Sequence, residues 1–348
     1  MKKVWKKFKS QKLVFIILEV VALLAVIGGT VYFLLPEKEE PKTDKIIEKE
    51  EPKTVSIVDV NSKSRPFAVM INNISTARPL QSGLQDAYIM YEIIVEGGIT
   101  RYLALFLDTN TERIGSIRSA RHYYLDYALE NDAIYVHHGQ SPQAQSDFSA
   151  LKIDRVAVDN SKTGWRDKTL KVASEHTLFT SIEKLNNGVS KFRAERNKDL
   201  LLEYSADKID LSKIDGTTVA NNVAIKYSNS STTSYTYNAD EEVYYRSVNN
   251  KEHKDYVTGK QYTFKNIITY QVSNSGIAGD NKGRQSINNI GSGEGYYITN
   301  GYSAKIKWEK SCRECQTKYT YLDGKEIVVN DGNTFIQIQP KGEALTIS

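Results

Sequence analysis

The sequence predicts one membrane-spanning helix, then an α+β (or α/β) domain built on a mixed sheet, then an all-β domain. Three observations predict it. Residues 13–35 are almost uniformly apolar; strand and helix signals alternate between about 57 and 206; and from about 222 short alternating runs recur without a convincing helix.

The apolar run carries one charge, Glu19, and is long enough to cross ~30 Å of hydrocarbon at about 1.5 Å per residue. Lys2, Lys3, Lys6, Lys7, Lys9 and Lys12 precede it with no acid among them. Residues 1–12 are therefore expected in the cytoplasm and the bulk of the chain outside. A cleaved signal peptide has the same basic flank, but its apolar core is shorter and ends at a small-x-small site that is not clean here. The expectation is an uncleaved signal-anchor in the cell membrane. No cysteine follows the run, so lipid attachment there is not expected. The heptapeptide Glu-Lys-Glu-Glu-Pro-Lys-Thr stands at 37–43 and again at 48–54. Such charge-dense, proline-punctuated sequence buries too little apolar area to fold, so 36–56 reads as a stalk.

Within 57–206, Phe67–Asn72, Ala87–Val95, Tyr102–Leu107, Ala133–His137 and Arg155–Val158 read as strands. Ser119–Leu129 reads as a helix. Ser141 followed by Pro142 is an N-cap with proline at the first helical position. Thr180-Ser-Ile-Glu183 reads as a capping box opening a helix through Leu185. Residues 207–221 form a linker. In 222–348, runs such as Val223–Tyr227, Val243–Arg246, Ile267–Val272 and Phe335–Ile338 alternate, with turn signals at Asn249-Asn250, Asp323-Gly324 and Asp331-Gly332. A sandwich or partly closed barrel is expected there.

Charges embedded in the apolar stretch between Tyr91 and His138 must either pair with one another or line a site, because an unpaired buried charge costs several kcal/mol. Glu92 and Glu96 are four apart. On a strand they are ~13 Å apart, too far to flank one bond as paired glycosidase carboxylates do. The β-branched content and the Gly97-Gly98 stop favour the strand. One carboxylate acting singly as acid or base remains a candidate, with Glu96 preferred for its glycine neighbours. The alternative is an ion pair with Arg101 or Arg118. Arg118 and Arg121 at the start of the expected helix oppose its macrodipole and call for an anion, internal or from a ligand carboxylate or phosphate. His137 and His138 end a strand next to a helix start, where α/β sheets gather ligands. They are acid–base or orienting candidates, with Gln140 and Ser141 beside them and Glu175-His176-Thr177 of lower weight. His253 and Asp255 in the β region are further ligand-binding candidates. Gly291–Gly295 reads as a strand connection, since no Lys-Ser/Thr and no helix follows it. Cys312 and Cys315 are the only cysteines. They read as a small disulfide staple or as two spare thiols; two thiols cannot complete a zinc site. No metal motif and no cofactor motif is visible. A formal charge of +4, with six of the lysines in the cytoplasmic tail, excludes a nucleic-acid surface.

The chain resembles the YerB-like family of bacterial envelope proteins, a domain of unknown function with a separate C-terminal module. The resemblance spans about Arg65 to Pro340. It rests on Arg65–Asn73, Ala77–Leu84, Tyr91-Glu92 with Val95–Arg101, Ile117–Arg121, His137–Ala144, His253 with Asp255, Gly291–Gly295, and Asp323–Lys325 before Asn333–Ile338. It implies two domains and supplies no reaction. Relatives are often lipoproteins; this chain departs from them in its helical anchor.

The function expected is action on peptidoglycan or another anionic wall polymer. In one form it is lytic cleavage by a single carboxylate, Glu96 or Glu92, with Arg101, Arg118 and Arg121 holding an anionic group and His137 or His138 assisting. In the other it is a non-catalytic module binding the wall or an envelope protein.

Overall fold

The structure is a computed structural model that describes residues 2–34 and 53–348. The chain divides into two units, residues 1–52 and 53–348, and each is taken by itself. The first is helix α1 (Lys2–Leu34), whose segment Lys12–Gly29 is long and apolar enough to cross a membrane, with a mean hydropathy of 2.4. The expected stalk falls mostly outside the described residues.

The second unit is built on one large mixed sheet. Its principal strands are β1 (Phe67–Asn72), β2 (Ile89–Ile94), β3 (Thr100–Phe106), β4 (Ile134–His137) and β5 (Arg155–Ala157). The later sequence supplies β6 (Asn222–Ser228), β7 (Ser231–Asn238), β8 (Val243–Val248), β9 (Asn266–Gly276), β10 (Gly291–Thr299), β11 (Tyr302–Lys310), β12 (Thr334–Pro340) and β13 (Leu345–Ile347). The large sheet runs β11-β10-β9-β12-β2-β3-β1-β4-β5, and a second sheet contains β8-β7-β6-β13. Strand β12, from the far end of the chain, pairs in parallel with β2 on one side and β9 on the other. One sheet therefore passes without a break from the early strands to the late ones. Its central strands β1, β2, β3 and β12 are buried at every position, which fits the largely apolar sequence of the first three, while β12 buries Gln337 and Gln339 among its apolar residues. In the second sheet β6 alternates buried and half-buried residues, as a sheet with one covered face should.

Helices α2 (His122–Glu130), α3 (Pro142–Ala150) and α4 (Ile182–Asn186) complete the early region. Ser141 caps α3, its hydroxyl accepting from the Ala144 amide at 3.2 Å. Two boundaries differ from expectation. Helix α2 begins at His122, because residues 116–121 are drawn out along neighbouring chain: Arg118 N–H donates to Met70 O and Ala120 N–H to Gly139 O. Helix α4 is capped by Ser181, which accepts from Lys184 N–H, while Thr180 ends a short strand. Gly291–Gly295 is part of strand β10, paired along its length with β11, not a connection. Cys312 and Cys315 form a disulfide.

Candidate functional site

Strands β1, β4 and β5 are parallel, and β2 runs the same way because both it and β1 are antiparallel to β3. Their carboxyl ends, Asn72, Ile94, His137 and Ala157, lie along one edge of the sheet, and β3 enters from that edge with Thr100 and Arg101. The edge gathers Glu96, Arg101, Arg118, Arg121, His138 and Gln140, the place where α/β sheets usually hold ligands.

Glu96 lies beyond the end of β2 on the turn Glu96–Gly98, in which Gly97 and Gly98 take φ of 68° and 71°. That turn swings it away from Glu92, so the two carboxylates do not share a face. Arg121 Nε donates to Glu96 Oε1, and Arg101 Nη2 stands 3.6 Å from Oε2. Arg101 Nη1 donates to Ser119 O at 2.6 Å and Arg121 Nη1 to Ala120 O at 2.8 Å. Both arginines are nearly buried, at 5% and 9% exposure, and Arg101 Nε–H has no partner. Two guanidiniums thus share one carboxylate in a place with little water. Burial pulls Arg101 down to about 10, helped by the like charge of Arg121 and opposed by Glu96. Burial raises the Glu96 carboxyl, but the Arg121 hydrogen bond and the charges of Arg121 and Arg101 outweigh it and leave the group below its ordinary value.

The accessible rim is Arg118, whose Nη2 is 3.4 Å from Glu175 Oε1, together with exposed His138 and Gln140. His138 Nδ1 is 2.8 Å from Val158 O and its Nε2 is 3.2 Å from Arg166 Nη2. A carbonyl only accepts and a guanidinium only donates, so His138 carries its proton on Nδ1. The Gln140 amide turns to Gln145 Oε1 at 2.7 Å. His176 joins through Asn72, whose Nδ2 lies 3.0 Å from His176 Nδ1.

Five candidates are placed elsewhere. Glu92 is fully buried. Its Oε2 accepts from Arg246 Nη2 at 2.8 Å and Thr233 Oγ1 at 3.0 Å, and its Oε1 from Thr100 Oγ1 at 2.6 Å. It is sealed in the core, with both oxygens bonded to neighbouring side chains. His137 is buried, donates through Nδ1 to Gly139 O at 2.9 Å, and packs against Phe148 with the rings tilted by 34° and centroids 4.9 Å apart. Burial pushes its imidazole down to about 4, so it is a neutral core ring. His253 is buried between Arg246 Nη1, at 2.6 Å, and Gln81 Oε1, and burial with the Arg246 charge holds it well below the usual histidine range. Asp255 accepts from Gly83 N–H at 2.7 Å and Tyr262 O–H at 2.8 Å. These last two residues clamp the later region onto residues 81–83, and they take no part in the arginine cluster. Ser141 is buried and spent on its cap.

Sequence reasoning missed Arg246 and Arg166. Arg246 shares the inward face of β8 with Tyr244 and Val248, and its parity in that alternating strand was the available signal. Arg166 stands on a two-residue strand and left none. Among the described residues no group of three or more His, Cys, Asp or Glu is placed to hold a metal ion.

Fold and cluster together define a two-region protein: a mixed α+β part and a β part fused through one sheet, with an arginine-rich strand-end edge. Residues 54–195 match the N-terminal domain, and 223–336 the C-terminal domain, of a family described as protein of unknown function DUF3048. The chain is 30% identical over 295 residues to YerB of Bacillus subtilis (strain 168), covering 82% of this chain and 85% of that protein, which is described by name as a candidate lipoprotein. The crystal structure of Bacillus subtilis YerB superposes with a TM-score of 0.69 at 29% identity, over 81% of this chain and 94% of that one. The chain belongs to the YerB-like DUF3048 family.

Proposed function

We propose that this is a membrane-associated protein of the cell envelope whose strand-end arginines bind an anionic group of a wall polymer, peptidoglycan being the first candidate, without cleaving it. In this reading α1 is a single-pass anchor with its lysine-rich end in the cytoplasm, and the folded unit works outside. The apolar helix and the relative's description as a candidate lipoprotein support the location. The observation that carries the binding reading is the charge balance at the strand ends: Arg101 and Arg121 share the single carboxylate of Glu96, and Arg118 stands on the rim. A buried surplus of guanidinium favours an anion, and arginine's planar fork suits carboxylate or phosphate.

The same geometry weighs against lytic cleavage. A single-carboxylate mechanism needs a protonated acid near neutral pH, and Glu96 is bound to two guanidiniums that hold it ionised. Glu92 is sealed in the core. The test is co-sedimentation of the full-length chain, in neutral detergent, with purified insoluble wall polymer, followed by mass spectrometry of the polymer. Binding that weakens at least fivefold in Arg118→Ala, with an unchanged polymer, supports the reading. New soluble fragments would replace it with an enzyme, and sedimentation indifferent to Arg118→Ala would remove the site.

A further inference from the structure

We infer that Glu96 is the site's own counter-ion, occupying the place of the ligand's anionic group, and that ligand binding displaces it by swinging the Glu96–Gly98 turn. The inference rests on the binding reading above and adds a regulatory contact to it.

Three observations point the same way. The first is chemical: Glu96 presents a carboxylate to Arg101 and Arg121, the kind of group a wall polymer's anionic substituent would present. Each guanidinium has already turned one Nη to a carbonyl, of Ser119 or Ala120, so Glu96 and an incoming anion compete for the Nε and Nη2 donors that remain. The second is mechanical. Glu96 does not stand on a strand or helix but on a turn whose next two residues are glycines at positive φ. A side chain added at Gly97 would meet nothing within 4 Å, so this part of the turn has open space to move through. By contrast Glu92 stands on β2, fully buried and bonded to Thr100, Thr233 and Arg246. The third is a latch. Ser228 Oγ donates to Gly98 O at 2.6 Å, and Ser230 Oγ lies 3.3 Å from the same oxygen. These serines belong to the β6–β7 turn of the later region, and two hydroxyls at one solvent-edge carbonyl are easily exchanged for water. The turn is therefore held closed by an ion pair on one side and by hydroxyls from the other family region on the other.

Internal competition makes a sharp forecast: removing the carboxylate improves anion binding. Full-length chain in neutral detergent is titrated with inorganic phosphate, following heat or arginine-side-chain NMR, for wild type, Glu96→Gln and Glu96→Asp. Glu96→Gln is expected to bind phosphate at least tenfold more tightly, and Glu96→Asp, which keeps the charge but draws it back by one methylene, to fall between. Ser228→Ala, which weakens the latch without touching the arginines, is expected to tighten binding two- to fivefold. Equal affinities in wild type and Glu96→Gln would overturn the inference while leaving the arginine site standing. Weaker binding in Glu96→Gln, with wild-type melting, would overturn it by making Glu96 an organiser of the arginines. Absence of binding in all variants, together with no capture by wall polymer, would remove the site and the inference with it. Should Glu96→Gln fail to fold, Glu96→Asp and Ser228→Ala carry the same comparison.

Discussion

Arg246 Nη2 donates to Glu92 Oε2 at 2.8 Å, and neither side chain is exposed to solvent. The pair joins β8 of the second sheet to β2 of the first. It extends through His253 and Gln81, whose Nε2 donates to Asn72 O at 2.5 Å, at the very end of β1. Removing one partner of a buried pair leaves an uncompensated charge, at a cost of ~3–5 kcal/mol. Arg246→Met is expected to lose about that much in urea unfolding, and Glu92→Met with Arg246→Met to recover a large share of it. A loss below ~1 kcal/mol in the single variant would mean that Glu92 finds water or a proton, against its sealed geometry.

The buried histidines set an acid limit. His137 is depressed to about 4 by burial, so in the folded state it binds a proton less readily than in the unfolded chain, where the value is near 6.5. Its contribution is fully present above about 6.5 and is lost as pH falls toward 4, amounting to ~3 kcal/mol at most. His253 is shifted in the same direction and adds to the loss. Urea midpoints measured between pH 7 and 4 are expected to fall steeply in wild type and less steeply in His137→Phe. Parallel curves for the two would show that the His137 ring reaches water.

The Cys312–Cys315 loop carries Arg313, whose Nε donates to Asp126 Oδ1 at 2.6 Å and whose Nη2 is 2.8 Å from Asp147. Beside it Lys310 pairs with buried Glu130 at 2.7 Å. The disulfide closes a very short loop, for which the chain-entropy relation gives ~2 kcal/mol. Dithiothreitol, or Cys312→Ser with Cys315→Ser, is expected to lower Tm by several degrees and to leave wall binding intact, since the loop is not part of the arginine cluster. An unchanged Tm would assign the loop's order to the ion pairs alone.

Gly98 combines φ of 71° with a neighbour, Ser228 Oγ, 2.8 Å from where a Cβ would stand. Gly98→Ala is expected to cost ~1–2 kcal/mol from the backbone conformation and the contact together. Adding Ser228→Gly should return only the steric share. Full recovery in the double variant would mean that the turn relaxes to negative φ.

Much of this was legible in the chain. The apolar strands and the Ser141 cap follow from local pattern, and the strand-end gathering of Arg101, Arg118, Arg121 and His138 follows from where the strands stop. What local pattern could not carry was pairing across the fold. Glu92 looked functional because its partner, Arg246, lies far along the sequence in another sheet. His253 and Asp255 looked like site residues for the same reason: their contacts, Gln81 and Gly83, are equally distant. The continuous sheet was hidden too, since the parallel insertion of β12 between β2 and β9 has no local signature. Glu96 was read as a strand residue because Gly97-Gly98 was taken as the strand's stop, whereas β2 ends at Ile94 and the turn already starts at Glu96.

The central claim is that an anion meets the arginines at the strand ends. The most direct measurement is the side-chain Nε–H signals of Arg101, Arg118 and Arg121, by ¹⁵N NMR of the full-length chain in detergent, as a soluble wall fragment is added. The account predicts that these three signals shift together and saturate, with Arg246 unmoved in the core. Shifts confined to other arginines, or none while the fragment demonstrably binds, would contradict it.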